Sequence, residues 1–412
     1  MNLIATAVES AYLASLELAT SEEVDRSHCL RLMAQAIQSA FEEILEANTL
    51  DLETSREMAV PEIILEWLKL TPERLQTAIR ILQRLAELAD PIGLVMDVPY
   101  QLKGAQTYSQ MMPLGVIAFV YEAFPELGVI AAGLCLKTGN SVILRGGSEA
   151  SHSNIAIGKA LTSALAQSNL PPSCLEILPS EQGTSVKDLV IQDQYLNLVI
   201  PYGRFSLVKQ VTEIANVPVL KSAIGNCYLY WSGGNLDLAR WLIIDSHASE
   251  PDPVNAIEKV LIAPQQKSNV LLRMFNSLKE KGFQLRGNEE LVQEFPEQLS
   301  LAKPSEWSKA YLQKIVAFKR VENLNEAIAL INRDSSGHAN CIVTDSYQEN
   351  YQFTLKIDSA LVYVNTSPRF SRNPQKGSSV FLGISNQKGH RRGLITMETL
   401  TTAKQVVRGK GC

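Results

Sequence analysis

The stretch Pro113–Asn154, PLGVIAFVYEAFPELGVIAAGLCLKTGNSVILRGGSEASHSN, decides the fold. Val116 to Val120 is a short apolar run, the mark of a strand covered on both faces. Pro125 breaks it. Leu127 to Leu136 is apolar nearly all round, a buried helix, and Gly139 just past it is a helix stop signal. Ser141 to Leu144 is a second buried strand. Arg145-Gly146-Gly147-Ser148-Glu149 follows and opens another helix. A glycine pair between a strand end and a helix start is either a tight turn or a place where the backbone approaches an anion.

Downstream the alternation continues. Ile155 to Ala166 reads as a helix, Leu175 to Leu178 as a strand, Val186 to Val190 as a helix and Leu196 to Pro201 as a strand. This order predicts an α/β fold with a parallel sheet and right-handed crossovers. Upstream, residues 3 to 89 read as helices. Ser21-Glu22-Glu23 marks one start, Ala47-Asn48-Thr49-Leu50-Asp51 an interruption, and Thr71-Pro72-Glu73 an N-cap with proline in the first turn. Residues 94 to 112 read as a hairpin turning at Lys103-Gly104-Ala105.

The 412 residues are 46% hydrophobic, with a net charge of −5. That size supports a large core and two domains. The charge gives no case for nucleic acid or an acidic membrane surface. The six cysteines lack zinc spacing and read as reduced, so no metal is expected. The N-terminus lacks a basic region before an apolar stretch, and no apolar run is long enough for a membrane span; a cytoplasmic protein is the default expectation.

PLGVIAFVYE, LCLKTGNSVILRGGSEASHSN, LTPERL and ADPIG resemble the γ-glutamyl phosphate reductases, the proline-biosynthesis branch of the aldehyde dehydrogenase superfamily. The resemblance runs nearly the full length. It implies a cofactor-binding domain over 1–232, interrupted by an arm hairpin near 94–112. A catalytic domain over 233–365 follows, then a C-terminal return and oligomerisation arm over 366–412. It implies NADPH-dependent reduction of γ-glutamyl 5-phosphate to glutamate 5-semialdehyde by a homo-oligomer. Lys137, Arg145, Gly146, Gly147, Ser148 and Gly203 fall at cofactor positions. Ser148 stands where many NAD-using relatives carry glutamate, so a 2′-phosphate is not repelled and Arg145 can pair with it, favouring NADPH over NADH.

The resemblance also exposes departures. The reaction needs a thiolate, which is both nucleophilic near pH 7 and a good leaving group. The family places that cysteine directly before asparagine, a small residue, an apolar residue and glutamate. Here the block is Val254-Asn255-Ala256-Ile257-Glu258, with valine at the nucleophile position. Losing a nucleophile in other acyl-transfer enzymes lowers turnover on the order of 10⁶-fold. Cys227 is the one neighbouring thiol to weigh as a substitute.

The family's arginine and two glycines are Tyr202-Gly203-Arg204. Its glutamate-serine-arginine-proline turn is Glu122-Ala123-Phe124-Pro125. A family histidine and aspartate are Ser222 and Ile224, and an acid near the C-terminus is Phe381. Glu122, Asn226, Asn255, His338 and Asn365 remain as relics of the substrate and catalytic site. A lone turn histidine such as His338 also suits a structural role. The chain therefore reads as a catalytically impaired reductase. The alternative is a non-catalytic nucleotide-binding or structural partner of a competent reductase or of glutamate 5-kinase.

Overall fold

The computed structural model describes residues 3–103, 105–180, 185–248, 253–389 and 391–409. Gly104, at the expected hairpin turn, and Cys412, one of the six cysteines, lie outside the described residues. The chain divides into two compact units: Met1–Ser222 with Arg372–Leu382 and Leu394–Cys412, and Ala223–Ser371 with Gly383–Gly393.

The first unit opens with five helices: α1 (Leu3–Leu18), α2 (Glu23–Ser39), α3 (Phe41–Glu57), α4 (Glu62–Leu68) and α5 (Pro72–Glu87). The expected break at Ala47–Asp51 is displaced. The chain breaks instead at Ala40, and Ala47–Asp51 runs helically through α3. Asn48 and Asp51 look like turn formers but are buried and serve distant backbone. The Asn48 amide donates to Leu68 O at 2.8 Å and accepts from Leu70 N at 2.8 Å. Asp51 accepts from the N–H groups of His152 and Ser153 at 2.9 and 2.8 Å. α5 starts as predicted, with Thr71 Oγ1 accepting from Arg74 N and Pro72 in the first turn.

The arm strands β1 (Val95–Asp97) and β2 (Ala105–Pro113) come next and pair antiparallel. Then follow β3 (Val116–Tyr121), α6 (Pro125–Lys137), β4 (Ser141–Gly146), α7 (Ser151–Leu165), β5 (Leu175–Ile177), α8 (Val186–Val190), β6 (Leu198–Tyr202) and α9 (Phe205–Ile214). β3 to β6 form a parallel sheet in the order β5-β4-β3-β6. All six residues of β3 are buried. Ile4, Val8 and Ala11 of α1 join Val116, Ala118 and Val120 in one core cluster. α6 is buried along its whole length. A Cβ at its Gly133 would fall 2.6 Å from the Leu82 side chain of α5, so glycine lets the two helices pack closely there. Beyond α9 a single parallel bridge joins Val219 to Val199.

The second unit carries β7 (Cys227–Trp231), α10 (Leu236–Ser246), β8 (Ile257–Ile262), α11 (Ser268–Glu280), β9 (Gln284–Gly287), α12 (Glu289–Glu294), β10 (Ser300–Leu301), β11 (Ile315–Arg320), α13 (Leu324–Asp334), β12 (Ala339–Val343), α14 (Tyr347–Lys356) and β13 (Leu361–Val364). These strands form a seven-stranded parallel sheet, β10-β9-β11-β8-β7-β12-β13. Because β7 belongs to this sheet, the boundary expected at Gly233 moves back to Ser222/Ala223. The expected third segment is likewise shared, with 383–393 in the second unit and 372–382 in the first. Two short strands, β14 (Ile384–Ser385) and β15 (Gly393–Leu394), precede β16 (Thr401–Gly409). β16 pairs antiparallel with β2 over nine residues. Hairpin and tail thus share one three-stranded sheet with β16 at its edge.

Candidate functional site

In the second unit the Val254 turn sits before the amino end of β8, beside the amino ends of β7 and β12. Val254 is fully buried. Its carbonyl accepts from Gly225 N at 2.9 Å and from His338 Nε2 at 2.6 Å. Burial pushes the His338 imidazole down to about 4, so it is neutral at pH 7. Nε2–H then donates to Val254, and Nδ1 faces Ser336 Oγ at 2.8 Å. His338 therefore aims the turn that presents position 254.

The neighbouring polar residues do the same kind of work. Asn255 Nδ2 donates to Pro368 O at 2.7 Å, and Asn226, at φ +56°, donates from its side chain to Asp334 O at 2.8 Å. The Oδ1 atoms of both asparagines are buried with no partner among the described residues. Glu258, fully buried, accepts from the N–H groups of Asn226, Tyr311 and Leu312 at 2.9, 2.8 and 2.7 Å. Burial raises its carboxyl, and the adjacent Lys259 opposes that rise. Burial likewise lowers the Lys259 ammonium to about 8; it lies over the Tyr311 ring, 3.7 Å from its centroid. Sequence reasoning named Glu258 as part of the block but missed its role. The signal was a charged residue leading into an apolar strand, a position that demands partners.

Among the described residues no exposed thiol stands beside Val254. Cys227 Sγ lies 3.5 Å from His338 Nε2, yet it is fully buried and burial pushes its thiol well above the ordinary range. Cys29, Cys135, Cys174 and Cys341 are also buried. Asn365 does not join the Val254 group. It follows the carboxyl end of β13, bonds Thr344 O at 2.8 Å and accepts from Thr344 N at 3.0 Å. The strand registers put it about 13 Å or more along the sheet from the turn.

In the first unit the candidate cofactor residues lie at the carboxyl ends of β4 and β6, except Lys137. The Lys137 side chain is fully buried, and its ammonium meets Glu23 Oε1 at 2.6 Å and Ser27 Oγ at 2.9 Å. It is committed to holding α2 on α6, against the expectation of a cofactor contact. Gly146 and Gly147 do leave room, and the chain itself fills it. A Cβ on Gly146 would meet the Asn154 amide, and one on Gly147 the Glu149 carboxylate. Glu149 Oε1 accepts from Ala123 N at 2.6 Å, while burial raises its carboxyl above the ordinary range. Ser148 begins a single 3₁₀ turn before α7, whose own first N–H groups are taken by Asp51. The Arg145 guanidinium contacts Gly146 O.

Gly203, at φ +148°, occupies backbone space that side chains rarely adopt, and a Cβ there would lie 2.8 Å from Glu122 Cβ. Glu122 reaches over it to Arg204. Oε1 accepts from Nη2 at 2.5 Å and Nε at 3.0 Å, and Oε2 accepts from the Arg204 backbone N–H at 2.9 Å. Beside this pair, Phe124 stacks on Trp67 with centroids 4.8 Å apart and meets the Tyr202 ring edge-on at 5.7 Å. The two positions where the resembled family carries arginine are thus aromatic and packed on each other. Arg372 approaches from the C-terminal return, donating to the Tyr202 hydroxyl at 2.7 Å. A nicotinamide dinucleotide brings a pyrophosphate. At the carboxyl ends of β3 and β4, Glu122 and Glu149 present acidic side chains that occupy the local N–H groups, so the residues present do not fit that group as arranged. Among the described residues no group of His, Cys, Asp or Glu is placed to hold a metal.

Comparison with known proteins agrees with this architecture. The aldehyde dehydrogenase family model matches residues 2–225. Gamma-glutamyl phosphate reductase 2 of Synechocystis sp. is 57% identical over 387 residues, 94% of this chain and 92% of that protein. Gamma-glutamyl phosphate reductase of Gloeobacter violaceus is 39% identical across 98% of this chain and 96% of its own. The crystal structure of gamma-glutamyl phosphate reductase from Thermotoga maritima superimposes with a TM-score of 0.90, at 33% identity, over 99% of both chains. A two-unit α/β architecture, a full-length match to these reductases and a retained Asn-Ala-Ile-Glu turn together show that this chain belongs to the γ-glutamyl phosphate reductases of the aldehyde dehydrogenase family.

Proposed function

We propose that this chain is a reductase-family protein of proline biosynthesis that does not carry out the acyl-transfer step. One observation carries the reading: the turn at the nucleophile position is held by hydrogen bonds from Gly225 and His338, and its residue is Val254. A thioester forms only if a thiolate attacks the acyl phosphate and phosphate leaves with the bonding pair. A valine side chain has no lone pair to offer. The nearest thiol, Cys227, is protonated and enclosed. His338 cannot activate it as a base while Nε2–H is committed to the Val254 carbonyl.

A supporting role in assembly suits the rest of the chain. The nine-residue β2–β16 ladder leaves β16 at the edge of the arm sheet, the kind of edge that pairs with another chain. Homo-oligomerisation follows naturally, and a competent reductase or glutamate 5-kinase is the partner class to test. The free, buried cysteines suit a reducing cytoplasm. No helix among the described residues is long and apolar enough to cross a membrane. Arg145 and Ser148 favour the 2′-phosphorylated nicotinamide cofactor over NADH wherever the crevice is made accessible. The test is phosphate-dependent NADP reduction with glutamate 5-semialdehyde, run on the wild type and on Val254→Cys. Wild type is expected to give no turnover above the protein-free background.

A further inference from the structure

The β5-β4-β3-β6 order has a topological consequence. From β3 the chain winds to one side through β4 and β5, then returns to add β6 on the other side. In open parallel sheets, ligands bind in the crevice at the carboxyl ends of the two strands flanking such a reversal. Here those strands are β3 and β6, and the first residue beyond β3 is Glu122. The first beyond β6 is the turn glycine, Gly203, followed directly by Arg204. Glu122 N donates to Tyr202 O at 3.0 Å, and the Glu122 carboxylate takes both the Arg204 guanidinium and the Arg204 N–H. That N–H begins α9, a ten-residue helix whose amino end favours an anion. The anion in place is the protein's own.

We infer that Glu122 and Arg204 form an internal latch across this crevice, and that the wild-type chain excludes a nicotinamide dinucleotide from it. Three features make the latch specific. Gly203 is the one residue type that allows Glu122 to cross, since any Cβ there meets the Glu122 side chain. Glu122 is only 13% exposed while Arg204 is 43% exposed, so the carboxylate lies inside and the guanidinium covers it. Glu149 adds a second carboxylate on the Gly147 side, bonded to the Ala123 N–H between the two. The Arg145 guanidinium offsets Glu149, whose carboxyl burial raises, so Glu122 is the acid that takes up Arg204. Removing Glu122 frees a backbone N–H and a guanidinium together and takes one negative charge from the crevice.

The latch is independent of the missing nucleophile, which lies in the other unit. Binding without turnover therefore overturns the latch and leaves the functional reading standing, whereas turnover overturns the functional reading. The experiment is a titration of NADPH and NADH into wild type, Glu122→Ala and Glu122→Gln, followed by cofactor fluorescence, with circular dichroism to confirm folding. Glu122→Gln keeps the side-chain shape should the alanine variant fail to fold. Wild type is expected to show no saturation up to about 1 mM. The Glu122 variants are expected to saturate with NADPH at least about 10-fold tighter, a gain of roughly 1.4 kcal/mol. Wild-type saturation at about 10 μM, or folded variants that bind no better than wild type, would overturn the latch.

Discussion

The Val254 turn and the Glu122–Arg204 crevice have departed from the same family pattern in different ways. Around Val254, Gly225, Asn226, Asn255, Glu258, Ser336 and His338 all hold backbone in place, and valine stands at the position where the resembled family carries its nucleophile. Around the crevice the support itself has been rebuilt. Phe124, Tyr202 and Trp67 interlock, and Glu122 and Arg204 neutralise one another. The first kind of change would remove chemistry and leave the turn's hydrogen bonds in place. The second sets aromatic packing where the resembled family carries arginine, the kind of exchange that favours stability over ligand contact.

The largest effect expected from this contrast is at Phe124. Phe124→Ala removes a fully buried ring from between Trp67 and Tyr202 and should cost about 3–5 kcal/mol in chemical denaturation. A cost below about 1 kcal/mol would mean that the aromatic block is not a packing unit. Next comes the pH dependence of the retained scaffold. His338 and His247 are both held near 4 by burial, whereas an unfolded chain protonates them near 6.5. Between about pH 6.5 and 4 the unfolded state binds protons that the folded state does not. Stability is therefore complete above that window and falls as pH falls through it, by up to about 3 kcal/mol per histidine. His338→Asn should remove about half of this slope in denaturation series at stepped pH, and an unchanged slope would show that His338 titrates freely. The smallest effect belongs to Val254→Cys. The swap is nearly volume-conserving in a turn held by its backbone, so it should cost less than about 1.5 kcal/mol by thermal melting. A larger loss would mean that the valine had become a packing element like Phe124.

Much of this was legible in the residues. β3 and α6 follow from unbroken apolar runs, and the α5 start from Thr71-Pro72. The vacancy at Val254 needs only the order of side chains in one short block. What escaped were polar residues whose partners are remote in sequence. Asn48 and Asp51 imitate a turn because their caps lie 20 or more residues away. Lys137, which looks like a ligand contact at a helix end, is paid out to Glu23. Asn365 follows a matching strand, but it leaves that strand at the end of the sheet away from the turn. Arg204 was visible as a departure, but its partner Glu122 is 82 positions earlier, and only the β3–β6 pairing brings them together.

The central claim is that a fully formed nucleophile turn carries no nucleophile. Its most direct test is the rate of phosphate-dependent NADP reduction by wild-type protein with glutamate 5-semialdehyde, measured beside Val254→Cys. The wild type is predicted to remain at the protein-free background. Wild-type turnover within about 100-fold of an ordinary rate of about 10 s⁻¹ would contradict the account, because hydrocarbon at position 254 cannot sustain it.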